Sequence, residues 1–202
     1  MSTLEQRKLG LEATPSLDVF TRRYDAGKAQ VVSTRLVADL ETPVSAYLKL
    51  ASGAMSFLFE SVEGGAQRGR YSIIGLAPDV VWRAHGDKAE INRSPERKPD
   101  AFKPEPEPTL ASLRALIAES KLELPGDLPP MAAGVFGYMG YDTVRLIERL
   151  PNVKPDALGV PDAVLIRPTV VVIFDSVKDE MTVVTPVRPA PRTSAQQAYK
   201  AA

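Results

Sequence analysis

Polar and apolar positions alternate along much of the chain. Residues 30–39 (QVVSTRLVAD) are rich in β-branched side chains and predict a strand. So do residues 55–62 (MSFLFESV), where Phe57, Phe59 and Ser61 fall on one face and Leu58 and Glu60 on the other. Gly64-Gly65 breaks the pattern. Residues 71–76 predict another strand, ended by Ala77-Pro78. Residues 80–84 and 89–92 flank His85-Gly86-Asp87-Lys88 and predict a hairpin. Two further strands are expected over 162–175 and 181–187, joined by 176–180, with Pro168 a weak point or bulge in the first.

Helical spacing fills the intervals. Ser16 is expected to cap a helix with Val19, Phe20 and Tyr24 on one face, ended by Asp25-Ala26-Gly27. Thr42-Pro43 predicts the start of a helix over 44–50, with Gly53 suited to its C-terminal cap. Thr109 is expected to cap a helix carrying Leu110, Leu113, Leu116 and Ile117 on one face, ended by 125–130. Residues 132–140 are glycine-rich and apolar. Residues 141–150 (YDTVRLIERL) predict a helix stopped by Pro151, with Val144, Ile147 and Leu150 at helical spacing. Segment 193–202 has a cap residue and good helix formers, but no stop signal and no apolar stripe long enough to dock. Its two readings are a helix continuing past Ala202 and a disordered tail.

Strands outnumber helices, so the class is α+β, mostly antiparallel sheet with several short helices, part of an incomplete β-sandwich-like domain. Residues 94–108 hold five prolines among charged residues. They predict a loop or flexible insertion, with neither ladder nor core.

Composition narrows the classes further. With 44% hydrophobic and 25% charged residues the chain suits a soluble globular protein. Lys+Arg and Asp+Glu are both 25, so there is no basic excess to hold nucleic acid or an anionic membrane. Residues 1–10 lack the apolar core of a signal peptide, and no apolar run is long enough to span a bilayer, so a cytoplasmic location is expected.

Candidate chemistry is sparse. There is no cysteine, hence no disulfide, zinc-thiolate site or thiol nucleophile. His85, the sole histidine, sits in the predicted hairpin turn and reads as solvated. Asp142, Glu148 and Glu60 are carboxylates without a catalytic partner, and Glu148 reads as a surface ion-pair member beside Arg145 and Arg149. No catalytic and no metal-binding residues are assigned. The end of the 55–62 strand is less ordinary, since Glu60-Ser61 follows an apolar run. It is either a strand running out into solvent or a polar corner at the mouth of an apolar cleft. The second would suit a ligand with an apolar ring and an amino-acid head.

Here the sequence resembles a known family. Leu58-Phe59-Glu60-Ser61 is similar to the Leu-Leu-Glu-Ser motif of anthranilate synthase component I, a chorismate-utilising enzyme. Val62-Glu63-Gly64-Gly65 and the block from Gly69-Arg70-Tyr71 to Gly75-Leu76 fit as well. So do the run from Gly134-Val135 to Tyr141-Asp142, Val144-Arg145, and Glu148-Arg149-Leu150-Pro151. The resemblance covers about residues 15–190.

The resemblance implies an enzyme that converts chorismate and glutamine-derived ammonia into anthranilate and pyruvate, in tryptophan biosynthesis. It implies a glutamine amidotransferase subunit as partner and Mg2+ to help bind chorismate. The catalytic and magnesium-binding residues belong to the family's C-terminal half. The chain would be the N-terminal regulatory domain (1–190), with 191–202 leading towards a chorismate-binding half. L-Tryptophan is the family's feedback inhibitor. By carry-over, Ser61 and Glu60 would bind its amino-acid head, Leu58 or Phe59 would line the indole pocket, and Arg70 is a further candidate. Phe59 departs from the motif's leucine and adds bulk. Alternation puts Glu60 and Ser61 on opposite faces unless the strand bulges or ends there. Two other readings are an aminodeoxychorismate synthase component I and a free-standing amino-acid-binding module.

Overall fold

The computed structural model describes residues 12–51, 53, 55–62, 68–152 and 155–202; the Gly64-Gly65 break and the polar segment 1–10 lie outside them. The helices are α1 (Leu17–Asp25), α2 (Pro43–Leu50), α3 (Thr109–Ser120) and α4 (Ala195–Ala201), with short 3-10 turns at Pro130–Ala132 and Tyr141–Leu146. The strands are β1 (Gln30–Val37), β2 (Phe57–Val62), β3 (Arg68–His85) and β4 (Lys88–Asn92). They continue with β5 (Lys103–Pro104), β6 (Phe136–Met139), β7 (Ala163–Asp175) and β8 (Glu180–Val187). The α+β class with antiparallel pairing holds throughout the registers.

The chain divides into two compact units. The first takes the chain up to Ala77 with Leu122–Ala133 and Thr169–Ala202; the second takes Pro78–Lys121 and Gly134–Pro168. β3 and β7 are the strands that pass between them.

In the first unit the strand order is β1-β8-β7-β3-β2. Alternation sorts its side chains into two faces. Val31, Val171, Ile173 and Val184 lie on one face, covered by Leu128 and Ala132 with Leu122 and Leu124 beside them. On the other face Val32 meets α1 and α4 through Phe20, Tyr24, Ala195 and Ala198. Further along that face, Ile74, Val172 and Phe174 meet Ala46 and Tyr47 of α2.

Helix ends explain several local differences. Thr42 forms a capping box with Ser45, as its residue type suggests, but α2 is capped at its other end by Ala51 and not Gly53. The Ala51 N–H reaches Tyr47 O with φ at −77°, so no left-handed residue is required. Ser16 occupies the cap position of α1 without a side-chain hydrogen bond. Val19 is exposed, and α1 buries only Phe20 and Tyr24. The segment expected not to dock does dock. Ser194 and Gln197 form a capping box for α4, Ala195 and Ala198 are buried against Phe20, and the Tyr199 ring lies edge-on to Phe20 at 5.1 Å. Two alanines and one tyrosine suffice, because small residues let the helix approach closely.

In the second unit β6, β7, β3, β4 and β5 follow one another. Its core joins Trp82, Val80, Ala84, Ala89, Ile91 and Ala163 to Leu113 and Leu116 of α3. The other two positions of the expected α3 stripe are less covered, and Ile117 is exposed. The helix starts at Thr109, but its cap lies elsewhere in the chain. The Thr109 N–H donates to Asp87 Oδ1 at 3.0 Å and its hydroxyl to Gly86 O at 2.9 Å. The predicted hairpin turn therefore serves as a remote helix cap. His85 is exposed, as expected, but it ends β3 opposite Lys88, so the turn itself is Gly86-Asp87.

Three further expectations fail. Residues 71–76 and 80–84 are one continuous strand, since Ala77 takes a φ of +47° and turns the strand without ending it. The β7–β3 ladder holds at both ends, through Ser176 N–H to Arg70 O and Asp162 N–H to Ala84 O. β7, by contrast, is the single strand expected over 162–175 and runs on through Pro168. The proline-rich segment does contribute a ladder, β5 on β4, and Asn92 Nδ2 donates to Lys98 O and Pro99 O. Lastly, 141–150 is no α-helix. Only a 3-10 turn forms at Tyr141–Leu146, with no buried residue to anchor more. Arg145 pairs with Asp142, not Glu148.

Arg167 is buried at the end of the second unit's part of β7. Its guanidinium donates to both Asp79 oxygens and to Glu119, which Arg93 also grips with two hydrogen bonds. Arg93, with Arg167 behind it, holds the Glu119 carboxyl below the usual glutamate range. A carboxyl lowered in the folded state contributes stability above its unfolded pKa and loses it as pH falls through the lower folded value. The urea midpoint of this unit is therefore expected to fall between about pH 6 and about pH 3, with Glu119→Gln flattening that dependence. An equal slope in both proteins would remove Glu119 as its source.

Candidate functional site

β2 is held to β3 in the register Phe57↔Gly75, Leu58↔Ile74, Phe59↔Ile73 and Glu60↔Ser72. The register then shifts, so that Val62 faces Arg68. The irregularity falls at Ser61 on β2 and at Gly69, Arg70 and Tyr71 on β3, at the point where alternation puts Glu60 and Ser61 on opposite faces unless the strand bulges or ends.

Leu58 points into the apolar cluster of Ile74, Val172 and Phe174. Phe57 and Phe59 take the opposite face, their ring centroids 4.5 Å apart. The Phe57 ring lies across Gly75, where an added Cβ would come within 2.1 Å of it. Phe59 remains 43% exposed, which leaves an aromatic face open beside the bulge. Glu60 and Ser61 are exposed as well. Among the described residues neither side chain has a hydrogen-bond or ion-pair partner.

Ser61 rests against Gly69. A Cβ built on Gly69 would stand 1.9 Å from Ser61 Oγ and 2.1 Å from its carbonyl oxygen. Only glycine allows this approach. Arg70 is adjacent, yet its guanidinium is engaged elsewhere. Nε donates to Asp175 Oδ1 at 3.0 Å and Nη2 to Asp175 Oδ2 at 2.7 Å, and the guanidinium lies 4.8 Å from the Tyr71 ring centre. This pair holds the Asp175 carboxyl below the usual aspartate range and raises Arg70.

Of the candidate residues, then, Phe59, Glu60 and Ser61 are consecutive and exposed at the end of β2; the regular register through Glu60↔Ser72 puts Glu60 on the face of Leu58 and Phe59 on the opposite one, and the shift falls at Ser61. Leu58 supports this end of β2 from the core side, and Arg70 is turned to Asp175. Asp175 and Ser176 were not marked by the sequence pattern, because they lie more than a hundred residues away along the chain. Gly69 was visible only as part of a motif.

No family model matches the chain. Among curated proteins, it is 52% identical to anthranilate synthase component 1 of Cereibacter sphaeroides over 185 residues, 91% of this chain and 37% of that protein. Over nearly its whole length the chain is homologous to anthranilate synthase component I. The Thermus thermophilus anthranilate synthase component 1 is 44% identical across 75% of the chain and 31% of that protein. The chain thus spans about a third of the length of the anthranilate synthase relatives it matches. A crystal structure of anthranilate synthase component I from Streptococcus pneumoniae shares the fold, with a TM-score of 0.53 and 22% identity over 82% of this chain and 34% of that one. The second motif of the resemblance also has a structural reason. A Cβ on Gly137 would meet Val164 O at 1.9 Å, so β6 can lie against β7 only with glycine there. Among the described residues no group of His, Cys, Asp or Glu is placed to hold a metal, and no helix is long and apolar enough to cross a membrane.

Proposed function

We propose that residues 1–190 are the N-terminal, tryptophan-regulated domain of an anthranilate synthase component I, and that the Glu60-Ser61 corner forms part of the L-tryptophan feedback site. The complete protein would act in the cytoplasm, forming anthranilate and pyruvate from chorismate, with ammonia supplied by a glutamine amidotransferase subunit. Chorismate and Mg2+ would be held by a part of that protein other than these residues, reached through segment 191–202.

The carrying observation is the corner itself. A carboxylate and a hydroxyl, neither with a hydrogen-bond or ion-pair partner among the described residues, follow an exposed phenylalanine at the end of β2, on the residues that resemble the family motif. Glu60 suits an ammonium, Ser61 a carboxylate, and Phe59 the flank of an indole ring. Leu58 would shape the pocket from beneath, and Arg70 is the neighbouring cation.

The test is product analysis of the complete protein with chorismate, ammonium and Mg2+, with L-tryptophan titrated in. Anthranilate formation inhibited by L-tryptophan is expected. Aminodeoxychorismate as product, or amino-acid binding without chorismate turnover, would overturn the reading. In the family the tryptophan pocket also draws on the later half. Residues 1–202 alone are therefore expected to bind L-tryptophan weakly or not at all, and tight binding by calorimetry would contradict this.

A further inference from the structure

The corner at Ser61 stands on a buttress supplied by the far end of β7. Ser61 lies directly on Gly69, so the position of one sets the position of the other. Gly69 and Arg70 are in turn fastened by the turn after β7. The Ser176 N–H donates to Arg70 O at 2.9 Å, and its hydroxyl lies 3.1 Å from Arg70 O and 3.3 Å from Gly69 O. Asp175 adds two hydrogen bonds to the Arg70 guanidinium. It also accepts the Val177 N–H at 3.1 Å, which ties its carboxylate to the turn. The Asp175 side chain is 13% exposed and that of Arg70 45%, so the carboxylate end of the pair is covered while the guanidinium stays open to solvent. All of these contacts converge where the β2–β3 register shifts.

We propose that Arg70, Asp175 and Ser176 are positioning residues for L-tryptophan at the Glu60-Ser61 corner, holding Gly69 and therefore Ser61 in place, and that Arg70 does not itself touch the amino acid. This inference rests on the tryptophan reading given above. It opposes the simpler idea that Arg70 binds the tryptophan carboxylate directly.

The two ideas differ in sign at Asp175. Asp175→Asn keeps the size of the side chain and removes its charge. If Arg70 is a ligand, freeing its guanidinium leaves tryptophan affinity unchanged or improves it. If Arg70 is a positioning residue, affinity falls, because the bulge loses its anchor. The double variant adds a second criterion. Residues acting through one another give non-additive effects, whereas an independent ligand adds its own loss.

The experiment measures the inhibition constant and the calorimetric Kd for L-tryptophan in the complete protein. The variants are Asp175→Asn, Arg70→Gln, the double variant, and Ser61→Ala as a reference. Each inhibition curve is normalised to that variant's own rate without tryptophan. A merely destabilising change would lower rate and sensitivity together; a positioning role moves tryptophan sensitivity alone. The expected result is a loss of about tenfold for each single variant and no greater loss for the double. Gly69→Ala leaves the Arg70–Asp175 pair in place and pushes directly on Ser61, so it provides a second route, with a loss of at least the same size. Unchanged or tighter binding by Asp175→Asn, or additive losses in the double variant, would overturn the inference. If Ser61→Ala loses sensitivity while Asp175→Asn and Gly69→Ala do not, the site stands and the buttress falls. If Ser61→Ala itself changes nothing, the site reading falls.

Discussion

Replacing Ser61 by phenylalanine is expected to abolish inhibition of the complete protein by L-tryptophan. On the reading proposed above, the serine hydroxyl is the group offered to the amino-acid head, and a hydrogen bond to a charged partner contributes about 1.5–3 kcal/mol. Its loss alone corresponds to about ten- to hundredfold in affinity. Phenylalanine adds a steric effect. Ser61 already lies so close to Gly69 that no extra atom fits between them. A ring at this position must swing outward across the corner, or push β3 away and undo the bulge. Feedback control requires the inhibitor to bind one state better than another, with typical coupling of about 1–3 kcal/mol. Ser61→Phe removes more than that. The measurement is the rate with L-tryptophan divided by the rate without it, over a range of concentrations. An inhibition curve matching that of the unmodified protein would remove Ser61 from the site.

The second large effect concerns stability. Trp82→Ala is expected to destabilise the second unit by about 3–5 kcal/mol, the range for truncating a buried tryptophan. Trp82 is fully buried among Val80, Ala84, Ile91, Leu113 and Leu116. Its indole Nε1 donates to Ser112 Oγ at 2.9 Å, joining β3 to α3. Trp82→Phe keeps most of the apolar bulk. Ser112 also keeps one partner, since its hydroxyl donates to Glu105 Oε2 at 3.0 Å. That variant is expected to lose less, about 1–2 kcal/mol. Urea unfolding followed by circular dichroism measures both. A loss below about 1 kcal/mol for Trp82→Ala would contradict the packing described. Trp82 is the sole tryptophan of residues 1–202, so in that polypeptide its fluorescence reports the second unit alone. Comparing it with circular dichroism shows whether the two units unfold together.

Several elements were legible because their causes are local. β1, β7 and β8 appear where β-branched residues cluster, and α2 begins where Thr42-Pro43 can cap it. Errors arose where a distant group did the work. Thr109 looks like a cap, yet Asp87 caps the helix from the β3–β4 turn. Ala77-Pro78 looks like a strand end, yet pairing with β7 carries β3 through it. Residues 141–150 have helical spacing, but Ile147 is exposed and the 3-10 turn that forms at Tyr141–Leu146 buries none of its residues.

The candidate site divides in the same way. Leu58 to Ser61 could be named from the chain alone, together with the rule that Glu60 and Ser61 face opposite sides unless the strand bulges or ends there, because strand alternation is local. The sequence by itself thus determined the strand, its apolar and polar ends, and its resemblance to anthranilate synthase component I. Only the tertiary structure decided that Ser61 rests on Gly69, and that Arg70 turns to Asp175. Those contacts depend on β3 meeting β2 on one side and β7 on the other, and no local pattern records which strands become neighbours.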